Sequence, residues 1–409
     1  MIPFFRKNPV LAIVSLAVIV RVVIFLLGTV DLSSGDFPLF ERMANNLLTQ
    51  GNFGGEPAVT YGSPNINPGF ALWIALLYLI FDQSTTVFWA GQIVLGALLV
   101  WGSYLLATKV FDKRVGLITA FVIALWPTLI LISTESTSVL LFSSLFLFSV
   151  IFFFKALSCQ TVLNGIISGI FLGLATLTKS IFFYAPIILG LWLFGMVILK
   201  KIEFRRASIL LIAFTLSFSA TLTPWTIRNI KVAGTNGSKA EVLAKGELRI
   251  VSSSKETELI FKNLAEGNIL FQGLKQMFLS PYGIWHLDRG PVEETIVYKS
   301  LIFSVLRGEQ YSPNVIVVLG LKIFIFLFHW ALLLLTIYSI LKFKFRRFGS
   351  FVFMLLAYTI FAAIGFVAHR GGFYGVSHLS LFIVPFVPLF AILASATIAR
   401  RFPSLLEKV

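Results

Sequence analysis

The chain has 409 residues, 57% hydrophobic and only 12% charged, with 43 Phe and a net charge of +15. A soluble domain carries roughly 25% charged residues, and a globule of this length cannot hide so much apolar surface. A cytosolic enzyme, a disordered chain and a nucleic-acid binder are thereby excluded, and the pattern predicts an all-α, polytopic bundle of transmembrane helices.

The first apolar run, Val10–Val30, follows Arg6 and Lys7. It exceeds a signal-peptide core, and no clear small-residue cleavage site follows, so it reads as an uncleaved first span. Nine further runs have the apolar character of a span. They are Thr85–Val110, Val115–Leu131, Ser138–Leu157, Val162–Leu177, Ile181–Leu199, Ala207–Thr223, Asn314–Leu341, Phe351–Ala368 and Leu379–Ala399. Pro68–Phe81 is shorter and suits an interfacial helix.

Charge arbitrates the topology. With Pro68–Phe81 outside the count, the basic clusters fall on one side: Arg6/Lys7, Lys109/Lys113/Arg114, Lys155, Lys200/Lys201/Arg205/Arg206, Lys342/Lys344/Arg346/Arg347 and Arg400/Arg401/Lys408. That side is the cytoplasm by the positive-inside rule. Both termini are expected there, with Pro68–Phe81 along the outer face of a plasma membrane. Two outer loops follow, 31–84 and 225–313, on a single domain covering 1–409. The second carries an apolar pattern (Leu259, Phe261, Leu264, Ile269, Leu270, Leu274, Phe278) that predicts interfacial helices. The cytoplasmic loops are short and no GxxxxGK[ST] occurs, which argues against an ATP-driven pump.

The ionisable residues expected near the outer face are the candidates for chemistry. Asp36 precedes a helical stretch, Phe37–Leu48, and suits either a helix N-cap or a general base. Glu135, in ISTEST, lies where two spans meet and suits either a helix start or a substrate contact. Lys179 (GLATLTKS), Arg228 (PWTIRN) and Arg370 (AHRGGF, beside His369) stand at outer span ends. Three separated cations facing two carboxylates can hold a phosphate at headgroup level, Arg through paired hydrogen bonds and Lys as a point charge. Arg21 lies inside the first span and is expected to face the bundle and pair with a polar group. Lys322 is expected to reach the interface, and His329 to be a helix contact. His286 has no second ligand at metal spacing, and the single Cys159 builds neither a disulfide nor a metal site. A divalent metal is therefore not supported by ligand spacing.

The order of motifs along the chain resembles the GT-C superfamily of membrane glycosyltransferases. The sequence runs from Asp36 through Ala44, Leu47, Gly51 and Phe53 to Pro68-Gly69-Phe70. Then come Pro127 and Glu135 (WPTLILISTES), GLATLTKS, PWTIRN and, more loosely, HRGGFYGVSHLSLFIVPFVPLF. The pattern is similar to the bacterial group related to protein O-mannosyltransferases and the lipid A aminoarabinose transferase. That resemblance implies transfer of a sugar from a polyprenyl-phosphate carrier to a lipid, glycan or protein acceptor at the outer face. It assigns the general base to Asp36, and substrate contacts to Glu135, Lys179, Arg228, His369 and Arg370. The first loop departs from family patterns: Phe37 follows Asp36, and no His occurs there. The Trp-Trp-Asp motif of oligosaccharyltransferases is missing, so that branch is not expected. A transporter or flippase of lipid-linked sugars, and a non-catalytic envelope-assembly subunit, are the competing readings. No internal repeat favours the transporter.

Overall fold

A computed structural model of the chain describes residues 8–27, 37–53, 67–133, 137–159, 161–234, 327–328, 330–341, 347–370 and 384–401. Every regular element among them is helical. The helices are α1 (Pro9–Leu27), α2 (Phe37–Gln50), α3 (Gly69–Ile80), α4 (Thr85–Val110), α5 (Lys113–Ala124) and α6 (Pro127–Ile132). They continue as α7 (Val139–Cys159), α8 (Val162–Thr178), α9 (Ala185–Ile198), α10 (Phe204–Gly234), α11 (Arg347–Arg370) and α12 (Val387–Arg401). A further helical stretch covers Trp330–Leu341.

Among the described residues, five segments are long and apolar enough to cross a membrane: Pro9–Leu26, Thr85–Val110, Val139–Cys159, Phe204–Asn229 and Val384–Arg401. They match the first, second, fourth, seventh and tenth expected spans. The fifth, sixth, eighth and ninth are represented by shorter apolar helices. The third differs from expectation. It is two helices, α5 and α6, parted at Leu125–Trp126. Pro127 explains the break, because it donates no backbone hydrogen bond and biases the residue before it away from helix. The seventh also differs: α10 does not stop at Thr223 but continues through Pro224 to Gly234. α3 has 12 residues, about 18 Å at the helical rise, which is too short to span.

Local sequence explains the helix starts. Ser84 accepts from the Thr86 N–H at 3.1 Å, and Asp112 from the Val115 N–H at 2.9 Å, as N-caps do. α7 and the Val384–Arg401 segment are the most enclosed of the long apolar segments. Phe146 of α7 stacks on Phe182 with centroids 4.4 Å apart, and Phe153 on Phe351 at 5.5 Å. α8 meets α10 through glycines: a Cβ on Gly169 would strike Ser217 and the Phe214 carbonyl. Small residues are what lets helices in a bilayer approach this closely. At the end carrying the basic clusters, Arg206 donates to the Leu157 carbonyl and Arg401 to the Tyr338 hydroxyl at 2.6 Å.

Candidate active site

The opposite end of the bundle gathers the described part of the first loop. α2 is amphipathic, and Phe37, Met43 and Ala44 are buried. Phe37 meets Phe88 at the start of α4 with centroids 4.6 Å apart, and Phe40 meets Phe70 of α3 edge-on at 5.3 Å. The Tyr78 hydroxyl of α3 donates to Glu41 Oε1 of α2 at 2.7 Å. Burial, then the bond to Glu41 and its charge, push the Tyr78 phenol well above its ordinary value. Gly51, at φ +68°, ends α2 in the left-handed conformation that suits a helix C-terminus. Asp36 lies outside the described residues.

α3 begins against the end of α8. A Cβ on Gly69 would lie 2.5 Å from Thr178 Oγ1 and 2.7 Å from the Thr178 nitrogen, so the Pro-Gly-aromatic motif is needed for contact. Lys179 follows at once, extended, its N–H bonded to the Ala175 carbonyl at 2.8 Å. The turn after it, Ser180–Phe182, is fixed twice. Tyr358 of α11 donates to the Ile181 carbonyl at 2.5 Å, and Phe182 sits in the aromatic core.

PWTIRN lies in the part of α10 farthest from the basic end. The Arg228 guanidinium stacks over the Trp225 ring at 4.6 Å and donates to Asn229 Oδ1 at 3.0 Å. Phe53, just after Gly51, meets Trp225 edge-on at 5.3 Å. The end of the first-loop helix is thus attached to the arginine motif.

Arg21 is fully buried and faces the bundle, as expected. Its Nε donates to Ser133 Oγ at 3.0 Å, and its Nη1 to the carbonyls of Ala17 at 3.0 Å and Ala124 at 3.4 Å. Gly96 of α4 makes room, since a Cβ there would strike the guanidinium. Gln92, one turn earlier, donates to the Thr137 carbonyl at 3.1 Å. Arg21 and Gln92 therefore hold the two residues that flank 134–136. Glu135 itself lies outside the described residues.

The structure thus brings the first-loop helices, the Lys179 turn and the Arg228 motif to one end. His369 and Arg370 are the last residues of α11; their side chains lie outside what is described, as do His286, Lys322 and His329. Arg42 is exposed on α2. Sequence reasoning missed Glu41, Tyr78, Gln92 and the ring role of Trp225. For Trp225 a signal existed, because it stands three residues before Arg228 and so shares a helical face with it. Among the described residues no group of three His, Cys, Asp or Glu is placed to hold a metal.

Residues 64–225 match the family model for dolichyl-phosphate-mannose-protein mannosyltransferase. No curated protein matches the chain significantly. Among solved structures, the Archaeoglobus fulgidus oligosaccharyltransferase in its apo form aligns with 98% of the chain at 16% identity and a TM-score of 0.55. The same enzyme in complex with Zn and sulfate aligns with 96% at 16% identity and a TM-score of 0.56. In complex with an inhibitory peptide and a dolichol-phosphate it gives 98%, 16% and 0.52. The chain spans about half the length of these relatives, 49–51%. Over nearly its whole length the chain shares the fold of this oligosaccharyltransferase, and across residues 64–225 it carries the sequence pattern of the mannosyltransferase family that its motifs resemble.

Proposed function

We propose that the chain is a membrane glycosyltransferase that takes a sugar from a polyprenyl-phosphate-linked donor. It transfers that sugar to a lipid, glycan or protein acceptor at the outer face of the plasma membrane. Asp36 is the general base. It takes the proton from the acceptor hydroxyl as that oxygen attacks the anomeric carbon. The bond from that carbon to the phosphate oxygen breaks, and the phosphate leaves with the electron pair. Arg228 and Lys179, with Arg370 and His369, stabilise the charge gathering on it, and Glu135 contacts substrate.

One observation carries this reading: first-loop helices, Lys179 turn and Arg228 stack meet at a single end of the bundle. A carbohydrate carrier phosphate presented at headgroup level would find cations from two helices beside the first loop. The likeness in fold to an oligosaccharyltransferase seen with a dolichol-phosphate supports the donor class.

The test is sugar transfer by purified Asp36→Asn. Asn caps a helix as well as Asp does, so the variant should fold and melt normally. A carboxamide takes up no proton, so turnover should drop by roughly 10²–10⁴. Near-normal transfer by a well-folded variant would remove the base. Absence of transfer by the native protein with every lipid-phosphate sugar would favour a carrier or assembly role instead.

A further inference from the structure

The partners that the structure gives Arg228 are neutral: the Trp225 face and the Asn229 amide oxygen. Neither cancels its charge. A guanidinium has five N–H donors in its fork, more than a ring face and one amide oxygen take up, and these can meet an oxyanion. Indole attracts a cation more strongly than phenyl or phenol does. The Trp225 ring has its own support, because Phe53 stands edge-on against it with an interplanar angle of 85°. Phe53 is placed by the left-handed turn at Gly51 that ends α2.

We propose that Trp225 is a positioning residue for Arg228. It orients the guanidinium toward a lipid phosphate, and Phe53 holds the indole in place, so phosphate binding depends on where the end of α2 sits. The inference rests on Arg228 being a phosphate partner and goes beyond it. It gives the tryptophan a role that acts through the arginine, and it couples the first outer loop to the carrier lipid.

The experiment uses the full chain in detergent and a polyprenyl phosphate as probe, with binding measured beside the melting temperature. Trp225→Leu should weaken binding about three- to tenfold without a matching change in melting. Trp225→Phe should weaken it less. Phe53→Leu should act in the same direction. In an Arg228→Ala background, Trp225→Leu should add nothing, because its effect passes through the arginine. Equal weakening in both backgrounds, or none in a well-folded Trp225→Leu, overturns the proposal. Should Trp225→Leu fail to fold, Trp225→Phe carries the same comparison, with about a twofold loss expected only when Arg228 is present. Unchanged binding by Arg228→Ala alone would instead show that the arginine is not the phosphate partner, and the proposal would fall with it.

Discussion

Arg21 is the residue whose energetics are least ordinary. A guanidinium without exposure in an apolar bundle has lost its hydration and recovers only part of it from a hydroxyl and two carbonyls. Replacing such a charge by an apolar side chain of similar volume is often neutral or stabilising, whereas removing one of its partners leaves a buried donor unmet, at about 1–3 kcal/mol. The two single variants should therefore differ in degree. Arg21→Met sheds the buried charge but leaves the Ala124 carbonyl without that donor, so it should melt less far below the native protein than Ser133→Ala does. Transfer should fall in both, since each releases Ser133 from the helix that holds it. Thermal melts and turnover of the purified variants check this. A lower melting temperature for Arg21→Met than for Ser133→Ala would show the charge to be a structural asset. Arg21 was legible in the sequence because a cation inside an apolar run is conspicuous. Gln92 was not, because its partner, the Thr137 carbonyl, is a backbone atom that no side-chain pattern announces.

Among the elements, α3 depends on contacts at both ends. At its start, Gly69→Ala would push a methyl group into Thr178 Oγ1 and the backbone of Leu177 and Thr178. Backbone yields less readily than side chain, so α3 should shift at a cost of about 1–3 kcal/mol. Thr178→Ala should rescue only part of that loss. Because Lys179 is the next residue, donor use should fall with it; melting and transfer assays on Gly69→Ala and the double variant test both statements. Toward its end, Tyr78→Phe removes a bond to a carboxylate. It should loosen α2 on α3 by about 1.5 kcal/mol, the lower end of what a hydrogen bond to a charged group contributes. Hydrogen exchange in α2 would report it, and unchanged exchange would show the bond to be idle. Spans such as Thr85–Val110 were legible to the residue, since bilayer thickness imposes an apolar run on the sequence. The α5–α6 break and the extension of α10 were not. Pro127 and Pro224 look alike in sequence, yet one parts a helix and the other rides inside one. In α10 the Trp225–Arg228 contact and the Phe53 contact accompany the turn beyond Pro224, and Phe53 comes from elsewhere in the chain.

At the scale of the molecule, the charge distribution makes a prediction about sidedness. Lys109, Lys113, Arg114, Lys155 and Arg206 belong to one end of α4, α5, α7 and α10, while Lys179, Trp225 and Arg228 belong to the other. With the basic end inside, a reporter fused after Asp82 should read outside and one after Lys113 inside. The reverse pair would invert the bundle and put the proposed site in the cytoplasm. The fold class was legible, because it is written in hydropathy, and the segregation of basic residues to one end was legible in the charge pattern. The pairings that build the site were not: Phe53 with Trp225, and Gly69 with Thr178, join residues far apart in sequence through shape alone.

The break before Pro127 has a consequence for the history of this chain. Irregular backbone at membrane depth survives only where something other than lipid meets its polar groups, and a buried cation survives only where something other than water meets its own. Here the Ala124 carbonyl at the break accepts from Arg21. Each feature is a liability alone and tolerable with the other. Relatives should therefore keep or lose the arginine and the proline as a pair. A lineage that straightened its third span while retaining the cation would be expected to have acquired a new acceptor facing it.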